Sequence, residues 1–168
     1  SEKVSLFRRL FRGRTDVYPI RWESKTTGKS GYTPACANEW RAGICEKPRI
    51  KCADCRNRLL SPLSDDVIYD HLAGRHTVGV YPLLEDDSCH FLAIDLDEAD
   101  WREDARAIMC SCEELGVSAA LEISRSGQGA HVWIFFASPV PARDARRLGS
   151  ALISHTCSRS RQLKLESY

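Results

Sequence analysis

The chain has 168 residues, 43% hydrophobic and 28% charged, enough for one full-sized domain or one domain with a small appendage. No apolar run approaches the roughly 18 residues that would cross a membrane, and the start Ser1-Glu2-Lys3-Val4 lacks the apolar stretch of a secretory signal. The formal net charge of +1 conceals a split: residues 1–60 carry 14 Lys and Arg against 6 Asp and Glu, a net of +8, while residues 61–168 carry 10 against 17, a net of −7. A basic first third beside an acidic remainder suits a polyanion-binding surface next to a metal-binding one, and equally a solvated basic face.

Residues 1–35 interleave cations with rings: Phe7, Arg8, Arg9, Phe11, Arg12, Arg14, Tyr18, Arg21 and Trp22. That mixture suits a nucleic-acid backbone with unstacked bases, or an arm packed on the domain. The polar stretch Lys25–Tyr32 is turn-like, and its Gly28-Lys29-Ser30 is not a phosphate-binding P-loop because no glycine stands five residues earlier. Four of the eight cysteines then fall close together, as Cys36-x8-Cys45-x6-Cys52-x2-Cys55. The Cys52–Cys55 spacing is that of a zinc knuckle, and four thiolates would make a closed, structural Zn²⁺ site. Lys47, Arg49, Lys51, Arg56 and Arg58 surround it and would help keep the thiolates ionised. The other cysteines, Cys89, Cys110, Cys112 and Cys157, are scattered through apolar segments as core cysteines are, which points to a reduced compartment and not to a disulfide framework. The expected division is a basic zinc-knuckle segment over 1–60 and an α+β core over 61–168.

Ser64 with Asp65 and Asp66 signals a helix start, and Gly74 its end. From there the pattern predicts a strand over Val78–Leu84, a turn, a strand over Cys89–Asp97 and a helix over Trp101–Leu115. A strand over Val117–Ser124, a glycine turn, a strand over Ala130–Ala137 broken by Pro139 and Pro141, and a last helix to about Thr156 complete it. The order β-β-α-β-β-α predicts an α+β sandwich, with helices on one face of a mainly antiparallel sheet and the open face left for function.

Two features on that frame carry chemistry. The strand Cys89–Asp97 ends in Asp95 and Asp97, which alternation places on one face with Cβ atoms about 6–7 Å apart at a rise of about 3.3 Å per residue. Such a pair could share Mg²⁺ or Mn²⁺, or could simply belong to a solvated acidic turn with Glu98 and Asp100. The hairpin Arg125-Ser126-Gly127-Gln128-Gly129 delivers His131 to the start of the next strand. Its amides and the Ser126 hydroxyl suit an anion, with Arg125 a further phosphate candidate, while a strand histidine can equally be structural.

An apolar strand ending Asp95-Leu96-Asp97, one helix, then Gly129-Ala130-His131 resembles motifs I and II of the archaeo-eukaryotic primase superfamily. The runs Phe11–Arg14 with Asp16–Tyr18, Lys29–Trp40, Tyr81–Leu84 and Ser124–Trp133 resemble one branch of it, the primase-like domain of TOTE conflict systems. The resemblance covers nearly the whole chain. It implies an RRM-like catalytic half and template-directed nucleotidyl transfer by two metals. Asp95 and Asp97 would hold Mg²⁺ or Mn²⁺, and His131, Ser126, Gly127, Gly129 and Arg125 would bind the nucleoside triphosphate. It further implies a DNA or RNA template and primer, fused helicase and nuclease domains, and a cytoplasmic setting in bacteria, phage or mobile elements. The family's third motif, an apolar residue followed by Asp, is expected on a further strand starting about where Leu165–Tyr168 stand, so the third carboxylate is expected beyond this chain. Glu122, on the strand before the hairpin, could substitute for it but suits a surface or salt-bridge role better. A catalytically inactive nucleic-acid-binding module is the alternative reading, and a two-metal nuclease a more distant one.

Overall fold

A computed structural model describes residues 1–159. The chain divides into two compact units, Ser1–Leu84 and Glu85–Tyr168. The division falls after residue 84 and not at residue 60 because the later segment is laced to the first: Leu63 N–H donates to Thr15 O at 2.8 Å and Gly79 N–H to Pro19 O at 2.9 Å.

The first unit opens with helix α1 (Glu2–Leu10), whose first turn carries Glu2 and last turn Arg8 and Arg9, charges that complement the helix dipole. Sequence periodicity did not announce it, since only Val4 among its residues is buried. It packs beside α2 (Asp65–Leu72), where Arg8 Nε donates to Asp65 Oδ1 at 2.7 Å. Ser64 caps α2 as expected, its hydroxyl accepting from Val67 N–H at 3.3 Å. Strands β1 (Pro19–Glu23) and β2 (Ser30–Pro34) form an antiparallel hairpin across the polar turn.

The expected strand Val78–Leu84 is not one. It is extended chain touching β1 through a single bridge, Ile20 to Val78, and Gly79 and Pro82 weaken any longer ladder. The element order in the second unit is accordingly β-α-β-β-α, shorter by one strand than expected.

That second unit holds β3 (Ser88–Leu96), α3 (Trp101–Glu114), β4 (Ala120–Ile123), β5 (Ala130–Pro141) and α4 (Ala142–Arg159). The sheet is antiparallel throughout, in the order β3-β5-β4. Pro139 and Pro141 do not end β5. Beyond Trp133 the strand has lost its β4 neighbour and pairs only with β3, so the missing N–H groups can face away from the ladder. Ile94, Leu96, Val132 and Ile134 project from one sheet face onto Trp101, Ala105, Ile108, Cys112 and Leu152 of the two helices. Ile108 is fully buried and Leu152 nearly so. Thr156 of α4 donates to the Ser111 hydroxyl of α3 at 2.8 Å inside this core. Because side chains alternate, the same strands present Asp95, His131 and Trp133 on the opposite, helix-free face.

Candidate functional site

The register of the sheet builds the site. Asp95 pairs directly with His131 across β3 and β5, and His131 pairs directly with Glu122 across β5 and β4. Three residues that alternation sends to the open face therefore stand in one row, a carboxylate on each side of an imidazole. His131 Nε2 lies 3.5 Å from Asp95 Oδ1, and His131 Nδ1 lies 3.4 Å from Glu122 Oε2. Glu122 is held from the next rung, where the Trp133 indole N–H donates to its Oε2 at 2.7 Å. Trp133 in turn stacks on Phe135, rings 6.3 Å apart and 7° from parallel, with Phe91 meeting it edge-on at 5.7 Å. The imidazole thus stands beside a carboxylate that is itself held by the Trp133 indole, although the buried His131 Nδ1 makes no hydrogen bond.

Glu122, which the sequence suggests as a surface or salt-bridge residue, has His131 as its neighbour. The signal was present, because a hairpin closing at Ser124 and Gly129 pairs Ile123 with Ala130 and, one rung on, Glu122 with His131.

The carboxylate end differs from expectation. β3 stops at Leu96, so Asp95 is in the ladder and Asp97 is one residue beyond it; both are exposed. The hairpin turn is pressed against that end. A Cβ on Gly129 would come within 2.7 Å of Leu96 O and 3.3 Å of Asp97 Cα, so only glycine lets the two backbones approach this closely. Within the turn Gly127 N–H donates to Ser124 O at 2.8 Å, Gln128 N–H to the Ser126 hydroxyl at 3.2 Å, and Ser126 bonds Ser124 through the hydroxyls at 3.0 Å. The Gly127 amide and the Ser126 hydroxyl thus make hydrogen bonds within the turn. Arg125 is exposed beside them.

The four clustered cysteines, all thiols half-buried, line one cavity of about 300 Å³. Cys36 Sγ accepts from Leu59 N–H at 3.2 Å, and Cys52 Sγ stands 3.7 Å from Thr33 Oγ1. They do not form the tetrahedral set that the spacing predicts. Among the described residues no group of three or more His, Cys, Asp or Glu side chains stands in a geometry that could hold a metal ion, at the cysteines or at Asp95. The long x8 and x6 spacings leave the thiols on separate turns, and the row at Asp95 alternates acid with imidazole. Burial lowers the Lys47 pKa, but its hydrogen bonds to Glu39 and Cys52 outweigh that and leave it raised. The third-motif region at Leu165–Tyr168 lies outside the described residues.

The model of the archaeo-eukaryotic primase domain of TOTE conflict systems matches residues 2–168. The chain belongs to that family. Among solved structures, the polymerase domain from Mycobacterium tuberculosis ligase D in complex with DNA is similar to it, with a TM-score of 0.57 at 14% identity. The match covers 98% of this chain and 63% of that one, so this primase-family domain spans less than two thirds of the ligase D chain. At that identity the likeness is one of fold. No curated relative matches the chain in sequence.

Proposed function

We propose that this primase-family domain is a nucleotidyltransferase that extends a primer along a DNA or RNA template, as part of a longer protein with helicase and nuclease domains. The observation that carries this reading is the facing of Asp95 and His131 on the open sheet face, with Asp97 and the glycine hairpin at the same end. Asp95 and Asp97 would hold Mg²⁺ or Mn²⁺: two exposed carboxylates two residues apart supply the oxygen donors that hard cations prefer. Bound there, the ions would activate the primer 3′-hydroxyl and neutralise charge on the leaving pyrophosphate.

The residues of the chain do the rest. His131 directs one ring nitrogen toward the acidic end and donates to a phosphate oxygen of the incoming nucleotide, while Glu122 on the other nitrogen keeps the ring from turning. Arg125 contributes charge-assisted hydrogen bonds to the triphosphate. Ser126, Gly127 and Gly129 hold the turn close enough for that contact, and the nucleotide would compete for the Ser126 hydroxyl and the Gly127 amide. The four thiols line one cavity, but they would have to converge from their present positions before they could hold a structural Zn²⁺. Elemental analysis of reduced, folded protein tests that part, and a zinc content near zero refutes it.

The decisive measurement is metal-dependent incorporation of labelled dNTP and NTP by the chain and by Asp95→Asn with Asp97→Asn. Loss of activity with an unchanged circular dichroism spectrum is expected, and full activity in the double variant would sink the proposal. A second reading, a nucleic-acid-binding module without catalysis, is favoured by the lack of a third carboxylate converging on Asp95 among the described residues. It predicts strand binding with no metal-dependent nucleotide binding.

A further inference from the structure

The rings singled out in the first 35 residues are mostly spent on packing. Phe7 and Phe11 meet at 4.7 Å, Phe7 also meets His71 at 5.7 Å, and Tyr18 is buried. Trp22 is exposed at 44%, as are three further rings of the first unit, Tyr32 at 57%, Trp40 at 68% and Tyr69 at 50%. Trp40 has φ of +59°, a left-handed conformation that a bulky residue rarely adopts. Backbone strain that holds a large apolar ring out in water contributes nothing to folding, and such outliers concentrate where a chain meets a ligand.

Trp22 lies on one face of the hairpin, and Trp40 is linked to that face through Lys47. Alternation puts Ile20, Trp22, Gly31 and Thr33 on one face of β1–β2, and Arg21 with its partner Tyr32 on the other. The Trp22 ring lies flat over Gly31, where a Cβ would meet it at 3.1 Å. Next along that face, Thr33 Oγ1 accepts from Lys47 Nζ at 3.2 Å, and the same ammonium sits 5.6 Å from the Trp40 ring centroid. Lys47 is tied to Glu39 and is a brace for the tryptophan. Lys25 and Lys29 lie in the turn that closes the hairpin, Lys51 precedes Cys52, whose Sγ stands 3.7 Å from Thr33 Oγ1, and Arg56 follows Cys55; all four are exposed and have no acidic partner among the described residues.

Two exposed indoles tied to one hairpin face, with uncommitted cations on the adjoining turn and loop, match the requirements of single-stranded nucleic acid: faces for unpaired bases and charge for the phosphates. We propose that the Trp22–Trp40 face is a stacking surface for unpaired bases, with Lys25, Lys29, Lys51 and Arg56 meeting the sugar–phosphate backbone. Duplex DNA has its bases stacked already and gains nothing from the indoles, and an acidic protein would use the cations alone. The inference rests on the polymerase reading only in expecting a nucleic-acid partner; binding on this face needs neither Asp95 nor a divalent ion.

The test is a fluorescence-anisotropy titration of labelled oligo-dT and oligo-rU, each about 20 nucleotides and so longer than the ~4–16-nucleotide sites of single-strand binders. It is run without added divalent cation on the chain carrying Asp95→Asn and Asp97→Asn, so its outcome is independent of whether nucleotides are incorporated. Trp40→Gly relieves the left-handed strain, so it should keep or raise the melting temperature while weakening single-strand binding by about tenfold, the loss of one stacked base. Trp22→Ala should weaken binding comparably, and Tyr32→Ala, on the opposite face, by less than about twofold. Lys51→Glu with Arg56→Glu should lower the salt dependence by about two phosphate contacts and leave tryptophan quenching by bound strand in place. The proposal is overturned if both tryptophan variants bind single strands within about twofold of the parent chain. It is equally overturned if Tyr32→Ala matches their loss, if duplex binds as tightly as single strand, or if poly-glutamate displaces the oligonucleotide at equal charge.

Discussion

The two units solve the problem of holding functional side chains in different ways. In the second, a continuous apolar layer between sheet and helices fixes the strands, and the register of the strands then places Asp95, His131 and Glu122 in one row. In the first, buried apolar residues are few, and polar clamps take over. Asn38 donates to Asn57 O at 2.7 Å, Asn57 donates to Ile44 O at 3.0 Å, and Arg14 pairs with Asp16, whose carboxyl it holds below the usual range. A sheet face backed by a core is a rigid template suited to chemistry that demands sub-ångström placement. A loop pinned by a handful of hydrogen bonds suits contacts with a flexible polymer, which tolerate adjustment.

Substitutions can break that contrast. The largest effect is expected for Ile108→Ala, which empties a fully buried position under the sheet and should cost about 2–5 kcal/mol in chemical unfolding. Hydrogen exchange should accelerate across β3 and β5 and leave β1 and β2 unchanged; equal acceleration in both units would deny their separate cores. Next comes Glu122→Gln, which leaves the Trp133 bond available but removes the negative charge facing His131 Nδ1. Nucleotide affinity should fall by about tenfold, roughly 1.4 kcal/mol, with the thermal midpoint almost unchanged. An unchanged affinity would leave Glu122 a surface residue. Asn57→Ala in the first unit should cost about 1 kcal/mol by orphaning Ile44 O, and loosen the cysteine loop to proteolysis while sparing the row on the sheet.

The smallest effect concerns pH. The Ser88 hydroxyl and N–H both donate to Asp86, at 2.6 and 3.1 Å, and hold its carboxyl below the ordinary value at the start of the second unit. A depressed folded-state pKa contributes stability above the unfolded value, near pH 4, and loses it as pH falls through the folded one. Asp86→Asn should therefore narrow the difference in urea midpoint between pH 6 and pH 3, and a parent-like difference would show that this turn plays no part in acid unfolding.

Much of the second unit was legible in the sequence because its signals are local and mutually consistent: alternation along β3 and β5, helical spacing from Trp101 to Cys112, and glycines where the turn must be tight. The Asp-x-Asp ending and the hairpin histidine could be read for the same reason. What escaped depends on pairing. Val78–Leu84 has the composition of a strand but meets one bridge only, and Pro139 and Pro141 look like breakers until the absence of a β4 neighbour at that height makes them harmless. Glu122 reads as a surface or salt-bridge residue, but only the register names His131 as its neighbour, and Trp40 reads as ordinary until its backbone angle is known. In the first unit the cations of the arm could be counted, but not which of them were already matched: Arg8 and Arg14 are held by Asp65 and Asp16, while Lys25 and Lys51 are not.

The end of β3 at Leu96 makes the two carboxylates mechanically unequal. Asp95 is anchored by a ladder backed by core, so its oxygen donors have a set position. Asp97 stands one residue past the last rung, outside the ladder, with the turn pressed against its backbone. In the metal-binding role proposed for them, a pair with one stiff arm and one compliant arm would adapt its bite to the ion. Mg²⁺, with its demand for oxygen at about 2.0–2.1 Å in a strict octahedron, and the slightly larger Mn²⁺ could be gripped in turn by moving Asp97 alone, leaving the row through His131 undisturbed.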